Sequence, residues 1–400
     1  MSDPCKNSKK MLEAIDSNIM GAPIKPERYM ADDHISNICP LCLSTEVEIN
    51  ILPYPLFRHM DFSPFHPGPN KIGQCRVCQS VFRVIDDDEQ MAIDAIYTGE
   101  EYLRHEEPHT IVIEGYDAPQ PISFFQAKLL APFLAGKEPS VLDIGCFDGR
   151  LLFEIGKVCD ARDLCGFDVS ERPRFPRDSK FRFVCGHMGS ISGQFDIILM
   201  SHSIQYIRNI HELFQRIRSL LKPGGQLFVQ VPDYSVKPCS LLLGDLYYHY
   251  DQTIMKNMFR HMGFNTIFLD NPYFPRDILV VASPGTKEMA AGYSEEFHLK
   301  TGLARIAEMA ERLDQLTTFD ALGVLGTTSE AAFISYYLGV RVSFFVDENP
   351  KKVGTDFQGK PVIHPKSVLE KDIIVIPMGK VGEGIRERLS KKYSGKYICL

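Results

Sequence analysis

The segment Val141-Leu-Asp-Ile-Gly-Cys-Phe-Asp-Gly149, running directly into Arg150-Leu-Leu, restricts the fold of this chain more than any other. An apolar strand that ends in acids and glycines and turns at once into a helix lets a ligand approach the backbone at the strand's carboxyl end. Such a turn belongs to α/β sheets, where neighbouring parallel strands complete the crevice. The following sequence supplies those neighbours. SVLDIG (140–145), LCGFDV (164–169), FRFVCG (181–186), FDIILMS (195–201), GQLFVQVP (225–232), NTIFLD (265–270) and DILVVAS (277–283) read as strands, with helical patterns between the first five. The expected fold class is α/β, with a central doubly wound Rossmann-like domain.

The ligand follows from the loop. Its spacing is DxGxxxG, and Phe147 occupies the place where a dinucleotide fingerprint needs its middle glycine. S-adenosylmethionine (SAM) fits that geometry better, with Asp143, Gly145, Asp148 and Gly149 around it. Asp168 ends the next strand 25 residues beyond Asp143, where an acid can accept hydrogen bonds from both ribose hydroxyls. His187 and Met188 follow the third strand and are expected to edge the adenine. Ser201 closes the fourth strand, on the side where methyl donor meets acceptor.

Four hundred residues exceed what one core usually organises. Three domains are expected, over 36–110, 120–288 and 289–400. In the first, Cys39-Pro-Leu-Cys42 and Cys75-Arg-Val-Cys78 lie 32 residues apart and enclose a loop rich in Pro, Phe and His. Two such knuckles can place four thiolates around one Zn2+, and a closed thiolate set is structural because it leaves no open coordination position. Replacement of one cysteine by His59 or His66 is the alternative. In the last domain, Gly323-Val-Leu-Gly326 ends a strand and Asp347 ends the next, a spacing that mimics a nucleotide-binding unit but equally suits a packing or homodimer-forming domain.

Charge and hydropathy narrow the partners. The net charge of −7 offers no broad attraction to nucleic acid. No apolar run approaches the roughly 20 residues that span a bilayer, so no membrane segment is expected. The first residues lack the pattern of a signal peptide, and a cytoplasmic location is expected.

From Val141 to about Pro232, including Leu221-Lys-Pro-Gly-Gly225, the chain resembles the class I SAM-dependent methyltransferases. More narrowly, CxxC, CxxC, the Phe147-Asp148-Gly149 loop, LKPGG and a terminal SFFVDENPKKVGTDFQGKPVIHP are similar to the three-domain, zinc-binding sugar C-methyltransferases that act on nucleotide-linked deoxysugars. The resemblance covers about residues 38–400. It implies methyl transfer to a small molecule, a nucleotide-linked (deoxy)sugar, on carbon or oxygen. The chain departs from that family at Gln205-Tyr206, where a Glu-His pair is usual, and at Leu246-Tyr-Tyr-His-Tyr250, where the family carries a YHEH-like cluster. Acid/base candidates are therefore His249, His202, Tyr206 and Tyr248, with Tyr102 reaching over from the N-terminal side. Two other readings stay open: an NAD-type oxidoreductase or epimerase using the C-terminal domain, and a non-catalytic SAM-binding sensor.

Overall fold

The computed structural model describes residues 38–65, 68–99, 102, 110–111, 113, 115–116, 118–134, 138–170, 180–286 and 298–400. The expected start of the first domain at 36 lies outside them, as does the expected boundary at 289. Ser36–Leu400 forms one compact unit.

β1 (Val47–Ile51), β2 (Lys71–Cys75) and β3 (Val81–Arg83) form an antiparallel ladder directly behind the two knuckles. The outer two were legible from their β-branched residues; Lys-Ile-Gly-Gln-Cys of β2 was not, having one such residue and a glycine. A fourth strand, β11 (Tyr248–His249), comes from far along the chain and pairs with β3. Helix α1 (Asp87–Thr98) starts at a capping box: Asp86 accepts from the Glu89 N–H at 2.8 Å, and Glu89 accepts from the Asp86 N–H at 3.0 Å. That start fixes where Tyr97, one helix length on, emerges.

After the short antiparallel pair β4 (Thr110–Ile111) and β5 (Gln120–Pro121), helix α2 (Ile122–Leu134) leads into the central sheet. β6 (Ser140–Ile144), β7 (Asp163–Asp168), β8 (Phe181–Cys185), β9 (Phe195–Ser201) and β10 (Leu221–Pro232) are parallel. β12 (Phe264–Phe268) and β13 (Asp277–Pro284) complete the order β12-β13-β10-β9-β6-β7-β8, β13 running antiparallel to its neighbours. The chain moves outward from β6 to β8 and then crosses back to β9, so its direction reverses between β6 and β9. A crevice opens at that reversal, at the carboxyl ends of the strands. Helices α3 (Arg150–Val158), α4 (Ile210–Leu220) and α5 (Gln252–His261) cover the sheet with apolar faces, α4 burying Ile210, Leu213, Phe214, Ile217 and Leu220 at helical spacing. β10 starts earlier than its apolar run: its register against β9 shifts between Leu221 and Gln226, where the Gly-Gly turn passes close to backbone carbonyls, a Cβ on Gly225 lying 3.0 Å from the Phe195 oxygen.

After α6 (His298–Leu316), a C-terminal sheet has the order β16-β17-β15-β14-β18-β19. β14 (Leu322–Leu325), β15 (Val342–Val346), β17 (Lys360–Ile363), β18 (Ile373–Ile376) and β19 (Lys396–Cys399) are parallel, while β16 (Asp356–Phe357) makes an antiparallel hairpin with β17. Helices α7 (Ser329–Leu338) and α8 (Gly379–Lys392) pack on it. No described helix is long and apolar enough to cross a membrane.

Candidate active site

The loop after β6 is tied to β7 before any ligand arrives. The N–H groups of Gly145 and Cys146 donate to the Phe167 carbonyl at 2.8 and 3.0 Å, and the Phe147 N–H donates to Asp168 Oδ2 at 2.9 Å. Gly145 (φ +78°) lies under Ser203, so that a Cβ there would fall 2.5 Å from the Ser203 Cβ. Gly149 (φ +75°) caps α3. Three acids converge on this loop. Asp148 pairs with Arg150 at 2.5 Å, and Asp168 also accepts from the Ser170 N–H at 3.3 Å. Asp143 is 3% exposed, and its Oδ1 has no hydrogen-bond partner among the described residues. Burial first, then Asp168 and Asp148, pushes its carboxyl up to about 8. An orphaned carboxylate oxygen beside two further acids is an environment that a bound cation would relieve.

The other expected cofactor residues lie around the same crevice end. His187 is exposed at the start of a turn after β8, and the Met188 carbonyl accepts from Arg216 Nε at 3.2 Å. Ser201 accepts from Gln126 Nε2 at 2.6 Å. His202 next to it has φ +52° and sits with Nε2 3.3 Å from Asp277 Oδ2. Burial works to raise the Asp277 carboxyl, but Lys237 and His202 outweigh it and hold the group far below its ordinary range.

A second constellation stands across from the loop. Tyr206 closes a single turn after β9, and its hydroxyl is hydrogen-bonded to Nδ1 of His59. The His59 N–H donates to both oxygens of Asp245 at 3.0 and 2.9 Å, and Tyr97 Oη donates to Asp245 Oδ2 at 2.7 Å. Asp245 is 1% exposed; burial pushes it up to about 6 against the hydrogen bonds from His59 and Tyr97. Burial and then Asp245 push the Tyr206 phenol well above 10, so the phenol is protonated at neutral pH. Aromatic rings connect the two halves: Phe147 to Tyr102 at 5.5 Å, Tyr102 to Tyr97 at 5.1 Å, Tyr97 to Tyr206 at 5.0 Å and Tyr206 to His59 at 6.1 Å. The expected reach of Tyr102 toward the loop is thus present.

The expectation that Tyr248 and His249 line the crevice is corrected. Both form β11, 2% and 3% exposed inside the first sheet, because the β3 edge needs a partner for its backbone groups. Burial, reinforced by Arg83, pushes the His249 imidazole down to about 3, which makes it a weak base. In its place the structure brings in His59, Tyr97 and Asp245. A solitary acid inside the apolar run Leu241 to Tyr250 was a readable signal for Asp245. His59 and Tyr97 carried none, since only tertiary packing brings residues from before the glycine loop to its far side.

The four cysteines are together. Cys39 and Cys78 Sγ are 3.5 Å apart, Cys42 and Cys75 Sγ 3.4 Å, and all four lie within 4.8 Å of one another. Tetrahedral thiolates about 2.3 Å from a zinc ion would stand about 3.8 Å apart, so the donor set fits that metal. His59 is engaged with Tyr206 instead, and His66 lies outside the described residues. In the C-terminal sheet, Lys352 Nζ lies 3.6 Å from Asp347 and donates to Thr327 at 2.6 Å, while Glu330 in the first turn of α7 is buried in an ion pair with Arg276.

Residues 118–270 match the family described as a methyltransferase domain. The trans-aconitate 2-methyltransferase of Deinococcus radiodurans is 28% identical over 96 residues, 23% of this chain, and the chain spans 37% of that enzyme's length. An S-adenosylmethionine-dependent methyltransferase from Mesorhizobium loti aligns over 39% of this chain and 95% of its own, with 15% identity and a TM-score of 0.33. Human N-acetylserotonin methyltransferase, solved with SAM, aligns over 41% and 51%, with 16% identity and a TM-score of 0.33. The similarity to a methyltransferase domain thus spans residues 118–270, the α/β core that carries the glycine loop.

Proposed function

We propose that the chain transfers a methyl group from SAM to a sugar carried on a nucleotide, with Tyr206 and His59 removing the acceptor's proton and the four cysteines holding a structural zinc ion. The observation that carries this reading is the hydrogen-bonded Tyr206–His59 pair, joined by aromatic rings to the glycine loop. When bound, SAM supplies an electrophilic methyl on a positively charged sulfur. Asp143, Asp148 and Asp168 favour that cationic ligand, and the bent loop from Gly145 to Gly149 leaves it room.

A carbon or hydroxyl acceptor has a proton to lose. The Tyr206 phenol is too weak an acid to rest as phenolate. With His59 in the tautomer that leaves Nδ1 unprotonated, the acceptor's proton passes to Tyr206 Oη as the phenol proton passes to His59, which ends as imidazolium. Asp245 orients the pair by gripping the His59 backbone and the Tyr97 hydroxyl. Holding donor and acceptor in line supplies much of the remaining rate.

An NAD-type reaction in the C-terminal sheet is less well supported, because the helix start where a pyrophosphate would sit is already engaged by the buried Glu330–Arg276 ion pair. The Deinococcus relative is named for a carboxylate acceptor, which needs no base. Release of S-adenosylhomocysteine from SAM with a panel of nucleotide-linked deoxysugars tests the proposal. It is expected with at least one of them and is expected to collapse in Tyr206→Phe. Release with carboxylic acids alone, undiminished in Tyr206→Phe, overturns it.

A further inference from the structure

The His59 loop, between β1 and β2, is gripped by Asp245 on one side and by the C-terminal sheet on the other. Beyond His59 the loop turns through Phe62, whose φ is +56° and whose N–H donates to the Arg58 carbonyl at 2.9 Å. The Phe62 ring stands edge-on to His59 at 6.1 Å and to Phe357 of β16 at 6.1 Å. The β16–β17 hairpin turns through Gln358 and Gly359, with φ of +53° and +70°. A two-residue turn with both central residues left-handed prefers Asn, Asp or Gly at the first position, because longer side chains crowd the backbone there. Glutamine is a poor choice for the turn itself. Its side chain has a use, however: Gln358 Nε2 donates to the carbonyl oxygen of Phe62.

Two non-glycine residues in the left-handed region, 296 positions apart, therefore meet at one hydrogen bond three residues from the proton acceptor. Backbone conformations that a side chain disfavours persist where surrounding structure requires them. We infer that Gln358 is a positioning residue, through which the C-terminal hairpin holds the His59 loop so that Nδ1 faces the Tyr206 hydroxyl. This rests on the reading of Tyr206 and His59 as the proton-accepting pair. The terminal sheet then forms part of the acceptor site without touching the acceptor.

The test is the ring-nitrogen NMR signal of His59 in the full-length protein labelled with 15N-histidine, assigned by its loss in His59→Gln. Gln358→Asn and Gln358→Gly both suit the turn but cannot make the bond, Asn being too short. They are expected to keep or raise Tm and to leave SAM affinity unchanged. The Nδ1 signal should nevertheless move toward the position it takes in Tyr206→Phe. A signal that moves in Tyr206→Phe but stays fixed in both Gln358 variants, whatever their Tm, overturns the positioning role and leaves the base reading intact. A signal indifferent to Tyr206→Phe overturns the base reading itself.

Discussion

Residues decide the chemistry, and Asp143 carries a pH signature opposite to that of an ordinary surface carboxylate. Asp143 is pushed up to about 8 in the folded protein, against roughly 3.9 for a solvated aspartate. A raised carboxyl contributes stability below the unfolded value and loses it as pH rises toward the folded one. Asp143→Asn should therefore stabilise the SAM-free protein by an amount that grows from about pH 4 to about pH 8 and then levels off, as thermal melts across that range will show. The same change should weaken SAM binding, since the amide offers no charge to a cation; equal affinity by calorimetry would remove Asp143 from the site. On the acceptor side, Tyr206→Phe or His59→Gln should slow turnover by roughly 10² to 10⁴-fold with SAM affinity unchanged, the span expected of a lost general base. Gly145→Ala should abolish SAM binding for two reasons: φ is +78°, and the new Cβ would strike Ser203 at 2.5 Å, displacing the strand-end residues on both sides of the crevice. The glycine-loop residues were legible because they are contiguous and their spacing encodes a turn. The proposed proton acceptor was not, and His249 was a misleading candidate: nothing local distinguishes a histidine facing a crevice from one pairing with a remote strand.

At the scale of elements, the β/α alternation from 140 to 283 was readable because each strand is an apolar run bounded by turn residues, and the structure places a strand at every one of those runs. Strands that sequence reading missed include β2, β11, β16, β17 and β19, each of five residues or fewer, so pairing and not propensity makes them strands. The proposed zinc site belongs to this scale. Metal analysis should find about one zinc per chain, and Cys75→Ser with Cys78→Ser should remove it. Because β3 pairs with β11, and the loop between β1 and β2 carries His59, the loss should loosen the acceptor side first. Hydrogen exchange is expected to rise over 39–83 and 248–249 while the glycine loop keeps its protection; equal loosening of both would refute a local role for the metal.

Over the whole molecule, the C-terminal sheet is pinned to the central sheet by charge as well as by apolar contact. Arg276, from the turn before β13, forms an ion pair with Glu330 of α7, and the two side chains are only 14% and 2% exposed. Removing one partner leaves a buried charge unpaired, so Arg276→Ala should cost about 3–5 kcal/mol in urea unfolding. A loss below about 1 kcal/mol would mean that water or another cation replaces the arginine. Sequence alone determined the α/β class, the cofactor loop and the paired cysteine knuckles, because each is written in residues close together, where turn geometry, strand periodicity and ligand spacing act locally. Only the tertiary structure decided which groups face the acceptor. His59 precedes the glycine loop, Tyr206 and Asp245 follow it, and Gln358 lies beyond all of them, and no local preference fixes their meeting. That meeting comes from strand pairing and burial across hundreds of residues, which satisfy backbone groups and desolvate carboxylates wherever the packed chain brings them.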